Sequence, residues 1–257
     1  VTWETANKNF KKNDGEKILE NLALVEQGES PAAAPDISAF SLKGRRLYKG
    51  EESVEAEVHD VPPEIDGRVR FWSAVGADES SPVAENETGV LFFAEDGAPL
   101  AFLPLESAEE CQDIMFSPDG SYFLLMSGSG IRADMTYILY ETETMEGKIE
   151  IPGARESAAW IDAGRFAMTR IDDVRETESG TFSMAALRLS AVMYDTVAEE
   201  LVVLKEATAT KNYWFGGVAD GGASLVLRED SVTSEKDWGD EEKITTREMK
   251  MEVPPAG

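Results

Sequence analysis

Few side chains in this 257-residue sequence combine type and spacing suited to chemistry. His59 is the only histidine, so no multi-histidine metal centre can form. A Ser-His-Asp triad built on it lacks the Gly-x-Ser-x-Gly elbow that presents a serine nucleophile. His59 lies on a strand-like segment beside Asp60, where a structural or solvent-facing imidazole is expected. Cys111 is the only cysteine, which excludes an intrachain disulfide and a multi-thiolate metal site. Its neighbours Glu109, Glu110 and Asp113 disfavour a thiolate, so it reads as an inert thiol.

Carboxylates are abundant. Asp172, Asp173, Glu176 and Glu178 fall in one long connection, and Asp237, Asp240, Glu241 and Glu242 fall in another around Trp238. Oxygen-rich loops can hold calcium, but no Asp-x-Asp-x-Asp-Gly loop is present, and no metal or cofactor is expected. Two carboxylates facing each other at a fixed separation would suit a glycosidase, a geometry that sequence spacing does not test. Tyr213-Trp214-Phe215 is a run of three aromatics that cannot all point to one face of a strand, which leaves at least one to meet a rim or a ligand. Gly216-Gly217 and Gly221-Gly222 read as turn glycines.

Fifty acidic residues against twenty-four basic ones leave a formal charge of −26. Such a surface repels phosphate backbones and anionic headgroups, so nucleic acid is a poor partner and a basic protein or cationic ligand a better one. No apolar stretch approaches the ~18 residues of a membrane helix, and membrane insertion is not expected.

The elements that must position these groups follow from periodicity. Residues 1–29 read as a helical N-terminal segment, with Trp3, Ala6 and Phe10 on one stripe and Ile18, Leu19, Leu22 and Val25 on another. The proline-bearing stretch 30–36 reads as a linker. Beyond it, over 37–257, the helical period gives way to short strands. Asp66-Gly67, Asp119-Gly120, Asp162-Ala163-Gly164 and Asp220-Gly221 each precede a strand-like run, at 68–75, 121–126, 165–171 and 223–230. Third strands are expected at 89–93, 135–140, 186–194 and 243–251. Fourth strands are expected at 99–105, 147–151 and 200–205, and the last unit lacks one. Its missing strand is expected from 39–48, closing a ring with no open edge. The run 122–126 does not alternate with polar residues, so both its faces should be covered. Phe116, Leu124, Ile138, Trp160 and Val226 are the expected core. The fold class is therefore all-β, a four-unit β-propeller-like domain with a short N-terminal helical segment.

Met115-Phe116-Ser117-Pro118-Asp119-Gly120, the apolar strand after it and Tyr137-Ile138-Leu139-Tyr140 together resemble the TolB-type β-propeller repeat. Trp160-Ile161-Asp162-Ala163-Gly164 keeps the aromatic and the glycine without the proline. The resemblance implies a propeller fold and a periplasmic or secreted location, and it carries no catalytic residues. The expected function is binding or scaffolding without catalysis, directed at a basic protein partner or cationic ligand. The alternative is a carboxylate-dependent hydrolase or lyase, with or without calcium, acting on a small or carbohydrate substrate. The binding surface is expected where the two long connections converge, on Asp172, Asp173, Glu176, Trp238, Asp240 and Glu241, with Tyr213 and Trp214 adding an apolar contact.

Overall fold

A computed structural model describes residues 35–78, 81–128, 134–174 and 187–255. The chain divides into two units, Val1–Asp36 and Ile37–Gly257. The expected N-terminal helices and most of the expected linker lie outside the described residues. The second unit is all-β. Its described residues form seventeen strands, every pairing between them antiparallel, and the only helices among the described residues are 3-10 turns of three to five residues.

In every sheet the strand order follows the chain, the signature of meanders joined by tight turns. The first sheet holds β1 (Phe40–Lys43), β2 (Arg46–Lys49) and β3 (Glu52–Val54). The second holds β4 (His59–Asp60), β5 (Phe71–Val75), β6 (Gly89–Phe93) and β7 (Pro99–Pro104). A seven-stranded sheet follows: β8 (Cys111–Phe116), β9 (Tyr122–Ser127), β10 (Asp134–Glu141), β11 (Gly147–Asp162), β12 (Arg165–Val174), β13 (Leu187–Asp195) and β14 (Glu200–Lys205). The last sheet holds β15 (Lys211–Ala219), β16 (Ser224–Ser231) and β17 (Thr245–Glu252).

Strand β11 explains the size of the third sheet. Its first half pairs with β10 and its second half with β12, with the register broken between Gly153 and Ala158. Gly153 is required at the changeover, because a Cβ there would lie 2.8 Å from the Tyr137 ring and overlap the Met168 side chain. One strand thus closes the β8–β11 meander and opens the β11–β14 meander.

Four apolar layers separate successive meanders, and the inner strands feed two layers each. On β6, Leu91 and Phe93 join Phe40, Leu42 and Leu47, whereas Phe92 joins Phe116 and Phe123. On β9, Phe123 and Leu125 face that same layer, while Leu124 and Met126 pack with Tyr137, Phe166 and Met168. On β12, Ala167 turns the other way, toward Phe215, Leu225 and Leu227. Period-2 alternation into two dry layers is why these strands read as unbroken apolar runs. Each fully buried large side chain contributes about 1.5–3 kcal/mol. Of the expected core, Phe116 and Leu124 are buried, whereas Ile138, Trp160 and Val226 are half-buried.

The Ser-Pro-Asp-Gly turn is built as its residues dictate. Gly120, at φ +69°, donates its N–H to the Ser117 carbonyl at 2.9 Å. Asp119 Oδ1 accepts from Ser117 Oγ at 2.7 Å and from the Ser121 N–H at 3.1 Å. Burial pushes the Asp119 carboxyl upward, but these bonds outweigh it and hold the group below its ordinary value. The Asp66-Gly67 turn stacks on this one, with the Asp66 N–H donating to the Pro118 carbonyl at 3.0 Å. A Cβ on Gly120 would overlap the Asp66 carbonyl oxygen.

The expected closure does not form. Residues 39–48 contain their own turn: Gly44, at φ +66°, lets β1 fold back onto β2, with Lys43 opposite Arg46. Strand β2 is paired on both sides within the first sheet, the outer side of β1 meets Gly97, whose carbonyl accepts from the Leu42 N–H at 3.0 Å, and among the described residues β17 pairs with β16 alone. The glycine pair at 216–217 also departs from expectation, since it lies within β15 at a register shift and not in a turn.

Candidate functional site

The first strands of three consecutive meanders, β4, β8 and the second half of β11, surround a cleft of about 570 Å³. Its walls come from 59–72 on one side, Asp113, Ile114, Met115 and Phe116 on another, and Ala158, Ala159 and Trp160 on a third. His59 stands opposite Trp72 in the β4–β5 register and stacks on its indole, with ring centroids 4.0 Å apart and planes 13° from parallel. Trp160 donates its indole N–H to the Met115 carbonyl at 3.0 Å, tying the third wall to the open edge of β8. That bond satisfies an edge acceptor while leaving the indole half-buried in the cleft.

Two carboxylates line the cleft, Asp60 and Asp113, and among the described residues no lysine or arginine does. A register shift between Cys111 and Asp113 displaces β8 where Asp113 sits, as bulges commonly do beside sites. Asp113 is exposed and accepts a hydrogen bond from the Ile114 N–H at 2.8 Å. Asp60 forms an ion pair with the guanidinium of Arg45, which reaches it from the β1–β2 turn and also donates to the Val58 carbonyl at 3.3 Å. Burial, then the charge of Asp113, pushes the nearby Cys111 thiol up to about 12, so it is held protonated and unreactive. Among the described residues no three His, Cys, Asp or Glu side chains gather to hold a metal ion.

The residues singled out from the sequence lie elsewhere. Asp172 and Asp173, at the end of β12, border an open groove of about 550 Å³ shared with Arg170, Arg188 and Glu206. Asp172 is already engaged: Arg170 donates to it at 2.6 Å, and Ser190 Oγ donates to its other oxygen. Asp173 pairs in register with Arg188, whose guanidinium meets Glu235 at 3.3 Å. Arg188, just after the first connection, and Glu235, within the second, are thus in contact. Glu176 lies outside the described residues.

The aromatic part of that expectation is corrected by burial. Trp238 is 2% exposed and donates its indole N–H to the Ala209 carbonyl at 2.8 Å, so it pins its loop from inside and presents nothing at the surface. Tyr213 is buried in the layer beneath β15, its phenol pushed upward by burial and by Glu229. Trp214 occupies the opposite face, its indole N–H bonded to Asp230 at 2.8 Å and its ring under the Arg228 guanidinium at 4.6 Å. Asp240 caps the Glu241–Lys243 turn through the Glu242 N–H and pairs with Lys243 at 3.3 Å, while Glu241 is exposed. Sequence reasoning missed the cleft. The one available signal was that His59, Trp72, Asp113 and Trp160 all fall in or beside strands that open meanders.

No protein family and no curated protein matches the chain. Among solved structures, hydrazine synthase of Kuenenia stuttgartiensis is 10% identical at a TM-score of 0.40, over 78% of this chain and 63% of that one. Acylaminoacyl peptidase of Pyrococcus horikoshii is 10% identical at a TM-score of 0.35, over 86% of this chain and 33% of that one. The chain thus spans less than two thirds of either protein, and likenesses of this degree carry no inference about its chemistry.

Proposed function

We propose that residues 37–257 form a propeller-like binding domain, without catalysis of its own, that recognises a basic protein partner in the cleft between its inner strands. The reading takes as blades the four meanders whose first two strands are joined by the Asp-Gly turns, with β1–β3 as a further meander ahead of them. One observation carries it: two carboxylates and the half-buried rings of His59 and Trp160 line the cleft, and among the described residues no lysine or arginine does. A formal charge of −26 adds long-range attraction for a cation, which accelerates encounter and weakens with salt. The acidic rim is the weaker candidate, because Asp172 is held by both Arg170 and Ser190 and Asp240 by Lys243, whereas among the described residues Asp60 alone of the two cleft carboxylates meets a cation, Arg45. The TolB-type resemblance supports a periplasmic or secreted location, which fractionation of the host would test.

The binding test is a fluorescence titration of the whole chain with a lysine- and arginine-rich peptide and with a glutamate-rich one of equal length, at two salt concentrations. Saturable binding of the basic peptide alone, weakened by salt and by Asp113→Asn, is the expected result. Equal response to both peptides, or binding indifferent to Asp113→Asn, would overturn the assignment of the cleft.

A further inference from the structure

The ion pair at the mouth of the cleft narrows the ligand chemistry. Asp60 is both a wall of the cleft and the partner of Arg45, so one of the two carboxylates that line it already holds a guanidinium. Arg45 sits at the tip of the two-residue turn between β1 and β2, and its side chain and that of Asp60 are 60% and 48% exposed. Exposed pairs of this kind contribute little to stability and exchange partners readily. Beside Asp60, the His59 ring is stacked through one face on Trp72, while His59 itself lines the cleft. A rigid plane next to a carboxylate suits a planar cation whose N–H fork bonds in its own plane while its face stacks. An ammonium group, compact and strongly hydrated, gains less from such a plane.

We propose that the cleft takes a guanidinium group, an arginine side chain of a basic partner, and that this group replaces Arg45 on Asp60. Arg45 is then an internal competitor that keeps the site occupied until the partner arrives. Asp113, across the cleft on β8, supplies a second acceptor for the entering fork. This inference rests on the reading of the cleft as a site for a basic partner.

The test measures affinity by titration calorimetry for three probes: a short peptide bearing one arginine, the same peptide with lysine in its place, and free argininamide. Wild type is expected to bind the arginine peptide at least about fivefold tighter than the lysine peptide. Arg45→Ala is expected to tighten the arginine peptide by up to about fivefold, the equivalent of one exposed ion pair. Asp60→Asn should weaken it and erase the effect of Arg45→Ala in the double variant. Arg45→Lys, which keeps a cation at the turn, guards against a folding artefact and should leave affinity between wild type and Arg45→Ala. Argininamide binding as tightly as the peptide would support the guanidinium site with a small-molecule source in place of the protein one. Equal affinity for the arginine and lysine peptides would overturn the guanidinium inference while leaving the basic-partner reading standing. Unchanged or weaker binding by Arg45→Ala would overturn the displacement, and binding of no probe would overturn both readings.

Discussion

Replacing Gly120 by alanine separates two costs that the fold places on one residue. The first is conformational: Gly120 sits at φ +69°, where an L side chain is disfavoured by about 1–2 kcal/mol, partly offset by the entropy alanine removes from the unfolded chain. The second is the stacked turn. A Cβ would overlap the Asp66 carbonyl oxygen, so the two turns must separate and the 3.0 Å bond from the Asp66 N–H to the Pro118 carbonyl is strained or lost. That bond contributes about 1 kcal/mol, and displaced packing adds a similar amount. Gly120→Ala should therefore cost about 2–4 kcal/mol in a urea titration. Gly44 provides the control, since it has φ +66° and a Cβ added there would meet nothing within 4 Å. Gly44→Ala should cost only about 1 kcal/mol. Equal costs for the two variants would refute the claim that stacked turns register neighbouring meanders.

Leu124→Ala removes a fully buried side chain from a strand covered on both faces, where the surroundings cannot collapse, and should cost about 3–5 kcal/mol by denaturant titration. A cost below about 0.5 kcal/mol would place β9 at the periphery. Glu229 is 4% exposed; burial pushes its carboxyl upward, but bonds from Arg247, Lys211 and Tyr213 outweigh this and hold it below its ordinary value. A depressed folded value means that its contribution is present above the unfolded carboxylate range and is lost as pH falls through the folded value. Glu229→Gln should thus flatten the acid limb of a melting-temperature profile, and parallel profiles for wild type and variant would contradict the linkage. Cys111, half-buried and with its thiol pushed up to about 12, should react with a thiol reagent at pH 8 about a thousandfold more slowly than an exposed cysteine, and complete labelling within minutes would count against a thiol held protonated by its surroundings.

Much of the fold was legible because it is local. The strands expected at 89–93 and 200–205 match β6 and β14, and the Asp-Gly turns lie ahead of β5, β9, β12 and β16. Turn chemistry and period-2 alternation act over a few residues, and these elements are decided at that range. What could not be read depends on distant partners. The continuous β11 looks in sequence like two strands around Pro152-Gly153, because only packing against Tyr137 and Met168 shows why the chain runs straight through. The failed closure had a local cause that was visible, since Gly44 within 39–48 is itself a hairpin signal. Trp238 looked like a surface aromatic because its neighbours are acidic, yet its burial is decided by the Ala209 carbonyl 29 residues away. The cleft is the extreme case: Trp160 meets the Met115 carbonyl across 45 residues, and no periodicity reports which half-buried side chains from three strands converge.

The central claim is that ligand recognition resides in the cleft and not on the acidic rim. Backbone amide shifts recorded by NMR during titration with the arginine peptide separate the two surfaces directly. Saturating shifts concentrated at 59–60, 113–116 and 158–160 are predicted. Shifts concentrated at 172–173 and 235–243, with the cleft unmoved, would contradict it.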